Sequence, residues 1–423
     1  MAVEPTTVHP RDGRRLARIG LAAALVSRVF SRLVGVVLVV VLARQGDPVT
    51  VAVYGYLLGT SSLVIGLTSV GVAGIGSREV AAGRMGPGAA LHAALVPQAA
   101  SLGVAAVLTV ALTLTYGPAG VPTVALTLTV ACVLVGGFNG LFAELLRGGG
   151  RVVLEAALQM AASVGLVIGG VAVVHRGGDA TGLLVVVLVK EFALLAAGVA
   201  LIRPRRLPGV GARDLLRQSI WVALAGTALI CLWRHGMVVV GATGGTAAVA
   251  TYVVASRYLD AGVTLASTAG FGLRPGLSAL VTDPVAFRRA VRRYLGLAAS
   301  VGALVAVVGA LAAGPLVTVP FGPRWSDAVG PVRGLALAAP AVLVTFVGLA
   351  ALVARARTRW VLFGAVAGTG TGAGVSVLLV GGDPTALSPV LGTGAGASVV
   401  ALMYLIGLRD LLAPVRESGG RSS

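Results

Sequence analysis

The chain has little of what water-soluble catalysis draws on. Fifteen Asp and Glu and four His are scattered through 423 residues. His9, His92, His175 and His235 stand far apart, none in an HExxH pattern, and neither a GxSxG elbow nor a paired-cysteine ligand spacing occurs. The two cysteines, Cys132 and Cys231, both lie in apolar runs, which excludes a disulfide framework and a cysteine metal cluster. No metal and no cofactor is expected. Long polar segments are missing as well, so the +18 net charge has no soluble domain in which to build a nucleic-acid interface, and no nucleic acid is expected. A cleavable signal is not expected either, since the first apolar run is too long and no A-x-A-like site follows a short one. Three glycine patterns, GVAGIG at 71–76, GTGTGAG at 368–374 and GTGAGA at 392–397, imitate nucleotide loops. A dinucleotide fingerprint needs a preceding strand and an acidic residue about 20 positions on. These patterns fall in or at the ends of apolar runs and read as helix packing.

What is present is apolar length. Hydrophobic residues make up 57% of the chain and glycine supplies 61 positions. The mean hydropathy is +0.96. Small residues let helices approach closely in lipid. Hydropathy and turn punctuation predict an all-α polytopic membrane protein with twelve transmembrane helices in two six-helix lobes around a central cavity. The spans fall at 16–43, 52–75, 89–115, 121–144, 152–174, 181–202, 215–241, 247–273, 292–317, 331–354, 359–380 and 388–408. The domains are then 1–202 for the first lobe, 203–217 for a basic cytoplasmic linker, 218–410 for the second lobe and 411–423 for a cytoplasmic tail. A tyrosine opens the second span of each half, Tyr54 and Tyr252.

Loop charges set an expected orientation. With the N-terminus in the cytoplasm, every second connection carries the arginines: Arg11, Arg14, Arg15 and Arg18; Arg78 and Arg84; Arg147 and Arg151; Arg203, Arg205, Arg206, Arg213 and Arg217. The series continues with Arg288, Arg289, Arg292 and Arg293, with Arg355, Arg357 and Arg359, and with Arg409, Arg416 and Arg421. These number 23, against only Arg44, Arg176, Arg324 and Arg333 on the other side, the bias the positive-inside rule describes. Both termini are placed in the cytoplasm. Trp221, Trp325 and Trp360 fall near span ends, as an aromatic belt requires.

Six cations remain inside or at the margins of spans: Arg28, Arg32, Lys190, Arg234, Arg257 and Arg274. Arg28 and Arg32 are four apart and share one helical face. A charge near the bilayer centre costs at least about 2.5 kcal/mol, so such residues face a wet cavity or a partner. The other reading is an interfacial helix with both arginines snorkelling to head groups. Arg257 and Asp260 are three apart and can pair on a helix. Arg234 and His235 lie within apolar sequence. Lys190 and Glu191 are adjacent and point in different directions, so one lines a cavity while the other meets a neighbouring helix. Glu79, Glu144 and Glu155 lie near cytoplasmic ends and read as solvated surface.

Three stretches carry a resemblance. They are the arginine-bearing first span followed by VAVYGYLLGTSSLVIGLTSVGVAGIGSREVAAG, the run GMVVVGATGGTAAVATYVVASRYLDAGVTL leading to RPGLSAL, and the outer FGPRWSDAV. Over most of its length the chain resembles a bacterial Wzx-type polysaccharide flippase of the multidrug/oligosaccharidyl-lipid/polysaccharide exporter superfamily. The resemblance implies a bacterial plasma-membrane protein, not an enzyme. Its two lobes open alternately to each side and move an undecaprenyl-pyrophosphate-linked oligosaccharide from inner to outer leaflet. Arg28, Arg32, Arg234 and Arg257 are the candidates for cradling the pyrophosphate, because arginine presents a permanently charged fork to phosphate oxygens. His235, Asp260, Lys190, Glu191, Arg274 and Glu79 form a secondary set for substrate contact or H+ or Na+ coupling; members of the family often carry an acidic residue where His235 stands. Expected partners are the lipid-linked oligosaccharide, membrane lipids and the polysaccharide polymerase machinery. Alternative readings are a lipid II flippase, a cation-coupled drug exporter of the same superfamily, and a membrane polysaccharide polymerase. Two extra spans would favour the first, a cationic cargo would be repelled by buried arginines, and a large outer loop would favour the last.

Overall fold

The computed structural model describes residues 10–68, 71–203, 212–380 and 386–412, with side chains for 22–67, 71–203, 223–274, 276–380 and 386–410. The side chains of Arg11, Arg14, Arg15, Arg18, Arg213, Arg217 and Trp221, together with residues 204–211 of the linker and the tail from 413, lie outside that description.

Among the described residues fifteen α-helices follow one another: α1 (Pro10–Gln45), α2 (Pro48–Thr68), α3 (Val72–Ala81), α4 (Pro87–Tyr116), α5 (Thr123–Gly148), α6 (Val152–His175), α7 (Ala180–Leu201) and α8 (Ala212–Thr243). They continue as α9 (Gly245–Ala279), α10 (Pro284–Phe321), a 3-10 turn (Pro323–Ala328), α11 (Val329–Leu337), α12 (Ala339–Ala354), α13 (Thr358–Val380), α14 (Ser388–Gly407) and α15 (Arg409–Leu412). Turn chemistry sets the boundaries. Proline opens α4 and α10, where its missing N–H is an orphan anyway. Asp179 and Asp283 cap α7 and α10 by accepting hydrogen bonds from first-turn backbone N–H groups.

Each of the twelve expected spans falls on helix, but two are broken. The run 52–75 is divided between α2 and α3, with Gly71 at φ 69°, a conformation that ends a right-handed helix. The run 331–354 is divided into α11 and α12, bent by 41° where Pro340 removes a ladder donor. Among the described residues ten helices are long and apolar enough to cross a membrane, or eleven if that bent pair is one span. The count of twelve is not reproduced, because α9 carries Arg257, Asp260 and Arg274 along an otherwise suitable 35 residues. The protein is an all-helical, multi-pass membrane protein.

Helices α1 to α7 pack on one another, and α8 to α15 do the same; the two sets meet where α2 lies against α8 and α9, α3 and α4 against α8, and α1 against α9 and α10. The α2–α9 seam is tight. A Cβ on Gly55 would stand 2.3 Å from a Val253 methyl, so only glycine allows that approach.

The arginine-rich turns gather at one end of the bundle, here called the basic end. At the opposite end the two helix sets are clasped by an exchange of helix caps. Helix C-termini leave carbonyls without intrahelical donors and favour cations. Arg324 donates to the carbonyls of Ala43 and Gly46, the latter at 2.8 Å, and the Trp325 indole N–H donates to Ala43 at 3.0 Å. In return Arg44 donates to the carbonyls of Val319 and Pro320 in the last turn of α10, the latter at 2.6 Å. Each set of helices thus supplies the cap that the other lacks.

Two measurements check this description. Gly55→Val overpacks the seam by about 1–3 kcal/mol and is expected to lower the detergent-solubilised melting temperature by several degrees; an unchanged value would contradict the close approach. Arg44→Ala with Arg324→Ala is expected to raise the labelling rate of a cysteine placed at Val53, beneath the clasp, whereas wild-type-like protection would show that the clasp does not hold this end shut.

Candidate functional site

The feature requiring explanation is a set of charges inside apolar helices, and the fold brings most of it to one place. Arg32 from α1, Lys190 and Glu191 from α7, Arg234 from α8, and Arg257 and Asp260 from α9 line one chamber of about 350 Å³. Asp260 is its organising group. Arg234 grips that carboxylate with both terminal nitrogens, at 2.9 and 3.2 Å. Arg257, one helical turn away, approaches at 3.7 Å. The expected i,i+3 pair therefore exists, but its stronger member is the inter-helix contact from α8, which only the packing reveals. Among the described residues the buried Arg257 Nε has no hydrogen-bond partner.

On the opposite wall the Lys190 ammonium lies 2.5 Å from Glu191 Oε1. This corrects the expectation that the two neighbours part company. Their Cβ atoms diverge, yet both side chains are long enough to curve round the helix and meet. Asn139 on α5 fixes the arrangement, donating from Nδ2 to Glu191 Oε2 at 2.6 Å and to the Glu191 carbonyl at 2.8 Å. Arg32 is exposed to the chamber and makes no ion pair or side-chain hydrogen bond among the described residues. Four cations face two carboxylates, leaving two positive charges in a chamber otherwise walled by apolar and hydroxyl side chains.

A vestibule of about 650 Å³ lies next to the chamber toward the basic end, the two sharing Ile65 and Gly136 in their walls. Arg274 lines the vestibule, its guanidinium 4.3 Å from the centre of the Phe271 ring. Arg28 lies off the chamber and near the same ring, at 5.7 Å. Arg28 is thus separated from Arg32 despite sharing its face, because one helical turn along α1 carries it past the chamber floor.

The remaining candidates lie elsewhere. His235 is buried between α8 and α13, its Nδ1 2.9 Å from the Leu232 carbonyl and its Nε2 2.9 Å from Ser376 Oγ. It follows Arg234 in sequence but points away from the chamber. Glu79 sits on α3 and accepts two hydrogen bonds from Arg84, at 2.6 and 2.7 Å; that guanidinium holds its carboxyl below the usual range. Glu155 is buried, with the cations of Arg147 and Arg28 acting on it, which corrects its reading as solvated surface. Glu144 lines the vestibule, paired with Arg147 at 3.0 Å. Among the described residues no group of three metal-ligating side chains gathers.

Sequence reasoning missed Asn139, Tyr54 as a chamber wall, and Phe271. A lone asparagine in the apolar run of α5 was a signal for the first. A buried carboxylate that loses its cation, or the reverse, is strongly destabilised. Asp260→Ala is therefore expected to lower stability by about 2 kcal/mol or more, while Arg32→Gln, which breaks no pair, leaves the melting temperature unchanged; equal losses in the two variants would refute the assigned pairing.

Comparisons agree with this architecture. A profile of the family described as "Polysaccharide biosynthesis protein" matches residues 19–280. A search of curated proteins gives no match. Among solved structures, the chain is similar to the inward-facing conformation of a multidrug resistance MATE family transporter of the MOP superfamily, at 15% identity, 95% coverage of this chain, 100% of that chain and a TM-score of 0.71. It is also similar to the lipid II flippase MurJ in an inward closed conformation, at 12% identity, 91% and 87% coverage and a TM-score of 0.73. A Vibrio cholerae MATE transporter, VcmN, in mutant form, gives 16% identity, 94% and 98% coverage and a TM-score of 0.66. The chain shares the fold of these transporter and flippase structures. With the profile running over more than half of its length, the chain belongs to the polysaccharide biosynthesis protein family.

Proposed function

We propose that this protein moves an undecaprenyl-pyrophosphate-linked oligosaccharide from the inner to the outer leaflet of a bacterial plasma membrane. The observation that carries the reading is the charge of the chamber. Arg32, Lys190, Arg234 and Arg257 exceed Glu191 and Asp260 by two charges, the number that a diphosphate joined to lipid and sugar brings with it. A diphosphate leaving the head-group layer loses its hydration, and guanidinium forks replace water at its oxygens. In the unloaded chamber the two carboxylates keep Lys190, Arg234 and Arg257 paired; on loading, the guanidiniums turn from Asp260 and Glu191 loses Lys190 to the phosphates. Those carboxylates are then the groups through which H+ or Na+ would couple.

The rest of the cavity suits the rest of the substrate. The vestibule offers space for sugars, and the lipid chain remains in the bilayer between two lobes, 1–202 and 218–410. The arginine bias supports a cytoplasmic basic end. Alternating access is then a rocking of one lobe on the other: the clasp of Arg44 and Arg324 opens as the vestibule closes. A cationic drug is a poor cargo here, because the surplus charge repels it.

The test is leaflet exchange of a defined lipid-diphosphate sugar by the purified protein in vesicles. Exchange by the wild-type protein is expected, and its absence would refute the reading. Arg32→Gln and Arg257→Gln are each expected to slow exchange about tenfold or more, the loss of one hydrogen bond to a charged group. Full exchange by both variants would remove the chamber from the mechanism.

A further inference from the structure

Both sets of helices carry arginines at the basic end. Besides Arg11, Arg14, Arg15 and Arg18 of α1, the first set has Arg78, Arg84, Arg147, Arg151 and Arg203 there, with Asp12, Glu79, Glu144 and Glu155. Besides Arg213 and Arg217 of α8, the second has Arg288, Arg289, Arg292, Arg293, Arg355, Arg357, Arg359 and Arg409, with Asp214, Asp283 and Asp410. Asp283 is spent capping α10 through Val285 and Ala286 N–H, and Asp410 lies 3.3 Å from Arg357 and 3.6 Å from Arg409.

The guanidinium of Arg355, in the turn between α12 and α13, lies 4.7 Å from the centre of the Phe287 ring at the foot of α10 and so joins the arginines there. Arg357 of the same turn is held by the Gly407 carbonyl and Asp410. Among the described residues the buried Nε atoms of Arg288 and Arg355 have no hydrogen-bond partner.

The face on which they stand identifies what they meet. Leu297, Val301, Leu304, Val305 and Val308 of α10 are 42–63% exposed, a stripe at helical spacing that in a membrane is covered by acyl chains. Continued by one and two turns toward the basic end, the same stripe reaches Arg293 and then Arg289, both exposed. Tyr294 and Trp360, both half-buried, lie next to Arg293 and Arg359 in sequence, the residue types that mark head-group level. A soluble acidic protein would have no reason to bind where the lipid-facing stripe runs on without a break.

We propose that the foot of α10, with Arg355 of the α12–α13 turn against it, forms a binding surface for the phosphate of an anionic phospholipid, centred on Arg289 and Arg293. The surface lies apart from the chamber and is independent of the transported substrate. Basic residues at a membrane surface attract anionic lipid by about fivefold each.

Native mass spectrometry of the purified protein, in micelles holding equal amounts of phosphatidylglycerol and phosphatidylcholine, tests it. The wild-type protein is expected to retain phosphatidylglycerol preferentially. Arg289→Gln with Arg293→Gln is expected to reduce that retention at least about fivefold, and Arg289→Lys with Arg293→Lys to keep most of it. Arg151→Gln with Arg203→Gln removes the same charge from the other set of helices and is expected to change nothing. Three outcomes would overturn the proposal: no preference in the wild-type protein, full retention in the glutamine variant, or equal loss in the Arg151 and Arg203 control. Leaflet exchange of the lipid-diphosphate sugar by the glutamine variant, measured in phosphatidylcholine vesicles, reads the chamber separately.

Discussion

A carboxylate shared by guanidiniums from two helices makes the interior of this bundle possible. Arg234 and Arg257 stand within apolar helices, where an unpaired cation would cost several kcal/mol. Asp260 answers both, at 2.9 and 3.7 Å. It thereby ties α8 to α9 at the depth where α1 contributes Arg32 and α7 contributes Lys190. The balance is incomplete, and the incompleteness is chemically useful. Lys190 has Glu191, but Arg32 has no partner among the described residues. A surplus of positive charge therefore stands ready in a chamber whose geometry is already held by internal pairs.

The two ends of the bundle are built differently. At the clasped end the contacts are cation to carbonyl, between arginine or tryptophan and the last turns of α1 and α10. Such contacts satisfy helix ends without burying a full ion pair, so separating them exposes groups that water can serve. A hydrophobic plug would lack that property. At the basic end the vestibule stands open between the helix sets, with Arg274 on its wall.

Local rules misjudge the site where side chains are long. Adjacent positions on a helix diverge, which argues against contact between Lys190 and Glu191; their flexible ends meet all the same, and Asn139 holds the carboxylate in place. The opposite error concerns Arg28 and Arg32. They share a helical face, yet a single turn of rise places one in the chamber and the other beside Phe271. His235 shows the third form of this limit, since its neighbour Arg234 enters the chamber while its own ring bonds to Ser376 on α13.

The all-helical membrane architecture was legible in the residues because crossing a bilayer is a local demand: each segment must be apolar and long enough by itself, and each connection must carry its own charge. The same demand marked Arg32, Lys190, Arg234, Arg257 and Asp260 as exceptions needing a wet or paired environment, and the packing brings all five together. It could not show that α2 and α11–α12 would break, since a glycine or proline inside an apolar run is tolerated or not according to what packs around it. Tertiary structure alone decided which nitrogens grip Asp260, that Glu155 is buried, and that Arg44 and Arg324 cap each other's helices. These depend on the rotation and crossing of helices far apart in the chain, and hydropathy, being a sum over neighbours in sequence, contains no term for either.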